Sequence, residues 1–212
     1  MTFIGFIAIL LAVGGTVYFV KKKEKEESRE GLNKAAANKA AQLRASQETD
    51  LSIGNVERGG MLSFSNIGPQ MISMDVQVTD RHLYKSGAYS WHELEGDGDN
   101  TTVYVTLEGD EISLTLNEIP LNELPIEQAN FSAQPNQELS YQGQAYHLDE
   151  SGAATYCKSG NELAPEHYQY WDYESEDGSS YLSVVQWQDG SLEASYSVPV
   201  HANEVAVLSI RS

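Results

Sequence analysis

One cysteine, Cys157, is all that 212 residues provide, so no disulfide can form within the chain. A domain of this length can bury a sizeable core without one, and the lone thiol agrees with a reducing compartment. Positive charge is scarce as well. Eight of the 13 Lys and Arg residues lie between Lys21 and Arg44, which leaves five for everything beyond Gln47, where 27 of the 31 Asp and Glu residues fall. A surface so poor in basic groups cannot gather phosphates, which argues against nucleic acid as a partner. No Gly-x-Ser-x-Gly elbow and no phosphate-cradling glycine loop occurs. The five histidines, His82, His92, His147, His167 and His201, lack metal-ligand spacing, and Cys157 has no second cysteine beside it. The run Glu95-Gly-Asp97-Gly-Asp99-Asn100 alternates as calcium loops do. Its flanks read as strands rather than helices, so a hairpin turn is expected there. The expectation is a protein that is not an enzyme, with no catalytic residue, no cofactor and no metal site.

What is present begins with an apolar run. Thr2 to Val20 carries no charged side chain, and a helix needs roughly 20 such residues to cross a bilayer. Lys21-Lys22-Lys23 follows at once. A cleaved signal peptide has its positive charge before the apolar run, the reverse of this order. Residues 1–20 are therefore expected to form an uncleaved transmembrane anchor. The lysine side, with everything after it, is expected in the cytoplasm: a single-pass protein of the inner or plasma membrane. Residues 21–49 are rich in Ala, Lys, Glu, Gln and Arg and predict a charged helical stalk, whose basic groups suit anionic headgroups. The acidic domain from residue 50 to 212 would be repelled by the same surface.

That domain reads as strands. Tyr168 to Glu174, Tyr181 to Trp187 and Leu192 to Val200 are dense in aromatic and β-branched residues. In the last of these, Leu192, Ala194, Tyr196, Val198 and Val200 share one face, and Glu193, Ser195 and Ser197 the other. Asp189-Gly190 suits a tight hairpin between the second and third. Upstream, strands are expected at 61–64, 71–78, 81–85, 88–94, 103–107, 112–116, 139–141, 144–148 and 153–157, with turn residues between most of them. An irregular connection is expected over 119–137. The fold class is then an all-β head of antiparallel meanders, sandwich or barrel-like, on an N-terminal transmembrane helix and stalk. Trp91 and Trp171 each precede an Asp-Gly at the same offset, which suggests two related β units, 50–117 and 138–212.

Tyr168, Tyr170, Trp171, Asp172 and Glu174 form the candidate ligand or partner patch. Acidic and aromatic groups side by side suit a polyamine or other cation, through charge and cation–π contact. The Trp91-x-Glu93 strand, Glu162-Leu-Ala-Pro, Tyr168-x-Tyr-Trp-Asp-Tyr and Trp187-x-Asp-Gly-x-x-Glu193 resemble a bacterial family, the domain of unknown function four-one-seven-eight. The resemblance covers about Leu51 to Val200. Where the family has Trp-x-Glu-Tyr, this chain has Leu94, and the family's Gly-Glu-Leu-Pro has Asn161 and an inserted Ala164. The resemblance implies no activity. It implies genes for membrane-stress proteins, small multi-span membrane proteins and polyamine-synthase-like proteins as neighbours. The expected function is a membrane-anchored, non-catalytic binding or interaction module, with a protein partner at the membrane and a place in a membrane-stress assembly. The alternative is a sensor of a small ligand, a polyamine or a divalent cation, that uses the acidic–aromatic patch.

Overall fold

The computed structural model of the chain describes residues 51–99, 101–128 and 130–211. The expected anchor over 1–20 and stalk over 21–49 lie outside the described residues. Among the described residues no helix is long and apolar enough to cross a membrane, and helical structure amounts to three short 3-10 turns. The compact unit beginning at Leu51 is all-β.

Eleven antiparallel strands follow one another: β1 (Met61–Ile67), β2 (Ile72–Ser86), β3 (Tyr89–Gly98), β4 (Thr101–Glu108), β5 (Glu111–Glu118), β6 (Glu138–Tyr141), β7 (Gln144–Cys157), β8 (Glu166–Ser175), β9 (Tyr181–Trp187), β10 (Leu192–Pro199) and β11 (Val205–Ser209). They make one sheet in the order β11-β1-β2-β3-β4-β5-β10-β9-β8-β7-β6. The sheet also pairs with itself, since Leu83, Tyr84 and Lys85 of β2 lie opposite Cys157, Tyr156 and Thr155 of β7. That pairing closes β2-β3-β4-β5-β10-β9-β8-β7 into an eight-stranded barrel. β1 and β11 extend from one flank, and β6 from the other.

Two strands are longer than the sequence suggests. The stretches 71–78 and 81–85 belong to the single strand β2, and 144–148 and 153–157 to the single strand β7. Each has a bulge, between Val78 and Asp80 and between Leu148 and Glu150. A bulge adds a residue and slips the inside–outside alternation, so the polar residues there imitate a turn while the strand runs on. β11 has no counterpart among the expected strands. The two meanders β1–β5 and β6–β10 share an order and a bulged second strand, and meet along two seams, β2–β7 and β5–β10. Across the bulges, Asp80 faces Glu95 and Glu150 faces Asp172. On that register Trp171 matches Leu94, not Trp91, so the shared spacing from tryptophan to Asp-Gly does not align the two meanders.

The apolar cores lie outside the barrel. One gathers Leu62, Phe64 and Ile67 of β1 over Val76, Val78, Leu94, Val105, Leu114 and Val198, all buried. The other places Ile119, Leu124 and Phe131, from the connection after β5, against Trp171, Tyr173, Leu182, Val184 and Ala194. On the first core's side of β3, Gly96 and Gly98 leave room for Val76 and Met74. A Cβ at Gly96 would overlap Val76 Cγ1 and stand 3.0 Å from the Gln77 carbonyl oxygen. Gly96→Ala is therefore expected to destabilise the domain by about 1–3 kcal/mol. Urea unfolding should show a lower midpoint with an unchanged slope.

Candidate functional site, the barrel lumen

The opposite face of the same strands lines the lumen. Neighbouring strands stand about 4.8 Å apart, so rings on next-but-one strands touch only on a concave surface. Tyr84 of β2 meets Tyr168 of β8 across β7, with ring centroids 6.0 Å apart, and Tyr156 of β7 meets Trp187 of β9 across β8 at 5.8 Å. Tyr84 also stacks on Trp91 at 5.5 Å and packs on Tyr156 at 5.1 Å, while Tyr168 packs on Trp187 at 5.3 Å. These five side chains form an aromatic girdle inside the wall. An eight-stranded barrel has an interior wide enough for side chains or one small ligand. Here Trp91, Tyr104, Thr106, Ser113, Thr115, Tyr156, Ser183, Trp187 and Ser197 are each half-buried. These inner-face residues thus keep contact with solvent, whereas the residues beneath the two outer covers are buried.

Carboxylates lie above and below the girdle, and Glu93, Glu95, Glu150 and Asp172 are each answered by a hydroxyl or imidazole. The Tyr84 hydroxyl donates to Glu93 Oε1 at 2.8 Å, Tyr170 to Glu150 Oε1 at 2.7 Å, and Ser183 to Asp172 Oδ1 at 2.6 Å. A Cβ at Gly152 would stand 2.8 Å from the Tyr170 hydroxyl, so the glycine lets that ring lie against β7 and reach Glu150. His82 is buried. The Ser159 backbone N–H donates to its Nδ1, so Nε2 carries the proton toward Glu95 Oε2, 3.1 Å away. Ser159 Oγ donates in turn to Asp80, which ties the turn after β7 to β2.

Burial is the main cause of the altered acidities. It raises Glu93 above the usual carboxylate range, against the opposing pull of the Tyr84 hydrogen bond. It pushes Asp172 up to about 6, with the Ser183 bond opposing and the charges of Glu150, Glu108 and Asp149 adding. Both residues are half-buried by accessible area. The dense wall around their carboxyls, rather than full loss of water, produces the effect. Asp172 on β8 senses Glu108 on β4, which is four strands away in either direction round the ring. Charge thus interacts straight across the lumen. Tyr168 senses Asp172, Glu93 and Glu108 together. The barrel strands carry two basic residues, Arg81 and Lys85, and both point outward. Arg81 donates to the Gly54 and Val56 carbonyls, and Lys85 pairs with Glu162.

Of the five residues singled out by sequence, Tyr168, Tyr170, Asp172 and Glu174 share the lumen side of β8. Trp171 points the other way, into the outer core, edge-on to Phe131 at 5.0 Å. Sequence reasoning missed Tyr84, Trp91, Glu93, Tyr156 and Trp187. The alternation along β3 and β9 marks them as one face, but only the β2–β7 seam brings those faces to β8. Among the described residues no three His, Cys, Asp or Glu side chains are grouped as metal ligands.

The model of a family described as domain of unknown function (DUF4178) matches residues 73–202. This range takes in nearly all of the eight ring strands and leaves β1 and β11 outside. No curated protein and no solved structure matches the chain.

A raised carboxyl binds its proton more readily in the folded state than in the unfolded one. Its ionisation therefore costs stability as pH rises from about 4 to about 6, and the full cost remains above that. Asp172→Asn keeps an acceptor for Ser183 and removes the charge. After allowance for water access, it is expected to stabilise the domain by about 1–2 kcal/mol at pH 7.5 and by nothing measurable near pH 4. Thermal melts at the two pH values measure the difference.

Proposed function

We propose that this chain, which belongs to the DUF4178 family, is a non-catalytic binding module whose barrel lumen takes an organic cation. The observation that carries the reading is the lumen itself: carboxylates on both sides of an aromatic girdle, and no lysine or arginine on the inner face of the barrel strands. A cation between π faces gains about 0.5–2 kcal/mol per good contact, more as water is excluded, and a carboxylate adds a charge-assisted hydrogen bond. Carboxylates set apart along a tube suit an elongated polyamine better than a divalent ion, which needs several oxygens at one point. Two hydroxyls lie near histidines outside the aromatic girdle: Ser159 Oγ donates to Asp80 rather than to His82, and the Thr155–His167 contact of 3.2 Å is exposed.

The apolar residues 1–20 serve, in this reading, as a single-span anchor and 21–49 as a helical stalk. Together they hold the acidic head on the cytoplasmic side of the inner or plasma membrane, in a membrane-stress assembly. Tethering raises the local concentration of the head at the bilayer. A protein partner at the membrane is the second reading. The exposed Tyr89 and Leu163, close in sequence to the two ends of the Lys85–Glu162 ion pair, favour it.

Spermidine added to the full-length chain in detergent is expected to raise the melting temperature saturably. Glu93→Gln with Asp172→Asn should weaken its binding at least about tenfold. No shift at millimolar spermidine in low salt would end the lumen reading.

A further inference from the structure

We infer that Trp187 selects, among organic cations, those that carry a neutral hydrogen-bond acceptor, such as a hydroxyl, near the charge. The inference rests on the lumen reading above and narrows its ligand class. Among the described residues, Trp187 Nε1 is the one fully buried side-chain nitrogen or oxygen without a hydrogen-bond partner. The indole is part of the lumen wall. It lies opposite Tyr168 in the ladder and packs between the rings of Tyr168 and Tyr156.

Several polar groups of the inner face are already engaged. Tyr84 donates to Glu93, Tyr170 to Glu150 and Ser183 to Asp172, and both nitrogens of His82 are occupied. No group of the described chain answers the indole N–H. Leaving such a donor unanswered is costly, and an acceptor that enters the lumen and displaces the Tyr156 or Tyr168 ring packed on the indole removes the cost on binding. An indole N–H only donates, so the incoming atom must accept. A carboxylate or phosphate would meet the combined field of Glu93, Glu95, Glu108, Glu150 and Asp172. What remains is an uncharged acceptor on a molecule whose positive end those carboxylates hold: an amino alcohol, or an amine bearing an ether or amide oxygen.

Diaminopropane and diaminopropanol differ by one central hydroxyl. Titration calorimetry on the full-length chain in detergent is expected to show the hydroxylated compound binding roughly three- to tenfold tighter. Trp187→Phe, which keeps an aromatic ring and loses the N–H, should bring the two affinities together while weakening both, since phenyl is the poorer π face for a cation. In the unsubstituted chain, the Trp187 indole proton resonance should move downfield with diaminopropanol and stay in place with diaminopropane. That readout needs no variant. Equal affinity for the two compounds, an unmoved indole resonance, or a preference that survives in Trp187→Phe would overturn this inference and leave the lumen reading standing. If neither compound binds, this inference falls, and the spermidine melts decide the lumen reading.

Discussion

Three residue pairs close the barrel. Where Leu83, Tyr84 and Lys85 of β2 meet Cys157, Tyr156 and Thr155 of β7, an open sheet becomes a ring, and every strand of that ring acquires an inside and an outside. Strand alternation does the rest. The β2 residues that turn Tyr84 inward turn Arg81 and Lys85 outward, and the β8 residues that turn Tyr168 and Asp172 inward turn Trp171 and Tyr173 outward. Without the seam, Tyr84 and Tyr156 would be solvated tyrosines on two distant edges.

Apolar surface has to be covered wherever it lies, and in this chain it lies on the outer wall. β1 and β11 cover one part, and Phe131 with the irregular connection after β5 covers another. The lumen is then free to hold groups that a packed core excludes. Glu93 and Asp172 remain tolerable inside because each accepts a short hydrogen bond and stays partly solvated, while Glu150 is exposed. Five basic residues against 27 acidic ones beyond Gln47 leave that part of the chain at 5 − 27 = −22. Inside the ring no lysine or arginine screens the field, so the lumen attracts cations before any contact forms. The DUF4178 match begins inside β2 and ends just past β10, so it spans the ring strands and not β1 or β11.

Local features were legible from sequence. The meander β8–β9–β10, its Asp189-Gly190 turn and the two faces of β10 follow from β-branched and aromatic residues in strict alternation. The bulges were not legible, because polar Thr79-Asp80 interrupts the local strand pattern of β2 and Ser151-Gly152 reads as a turn within β7. Closure was not legible either, since β2 and β7 are far apart in the chain and overlap by three residues. The candidate site shows the consequence. Tyr168, Tyr170, Asp172 and Glu174 share one face by their spacing alone. Trp171, adjacent to them in sequence, must point away for the same reason, and its aromatic character drew attention to the wrong side of the strand. Glu93 and Tyr84 enter the site only through the ring.

The central claim is that the tyrosine- and carboxylate-lined face is wet while the aromatic residues outside the barrel are dry. Hydroxyl-radical footprinting of the native chain, read by mass spectrometry, tests it most directly. The account predicts oxidation of Trp91, Tyr104 and Tyr181, which are half-buried on the inner face, with Tyr146, Trp171 and Tyr173 protected until the domain unfolds. Oxidation of Trp171 and Tyr173 while the inner rings stay protected would mean that the barrel is turned the other way, with a dry interior and no lumen to fill.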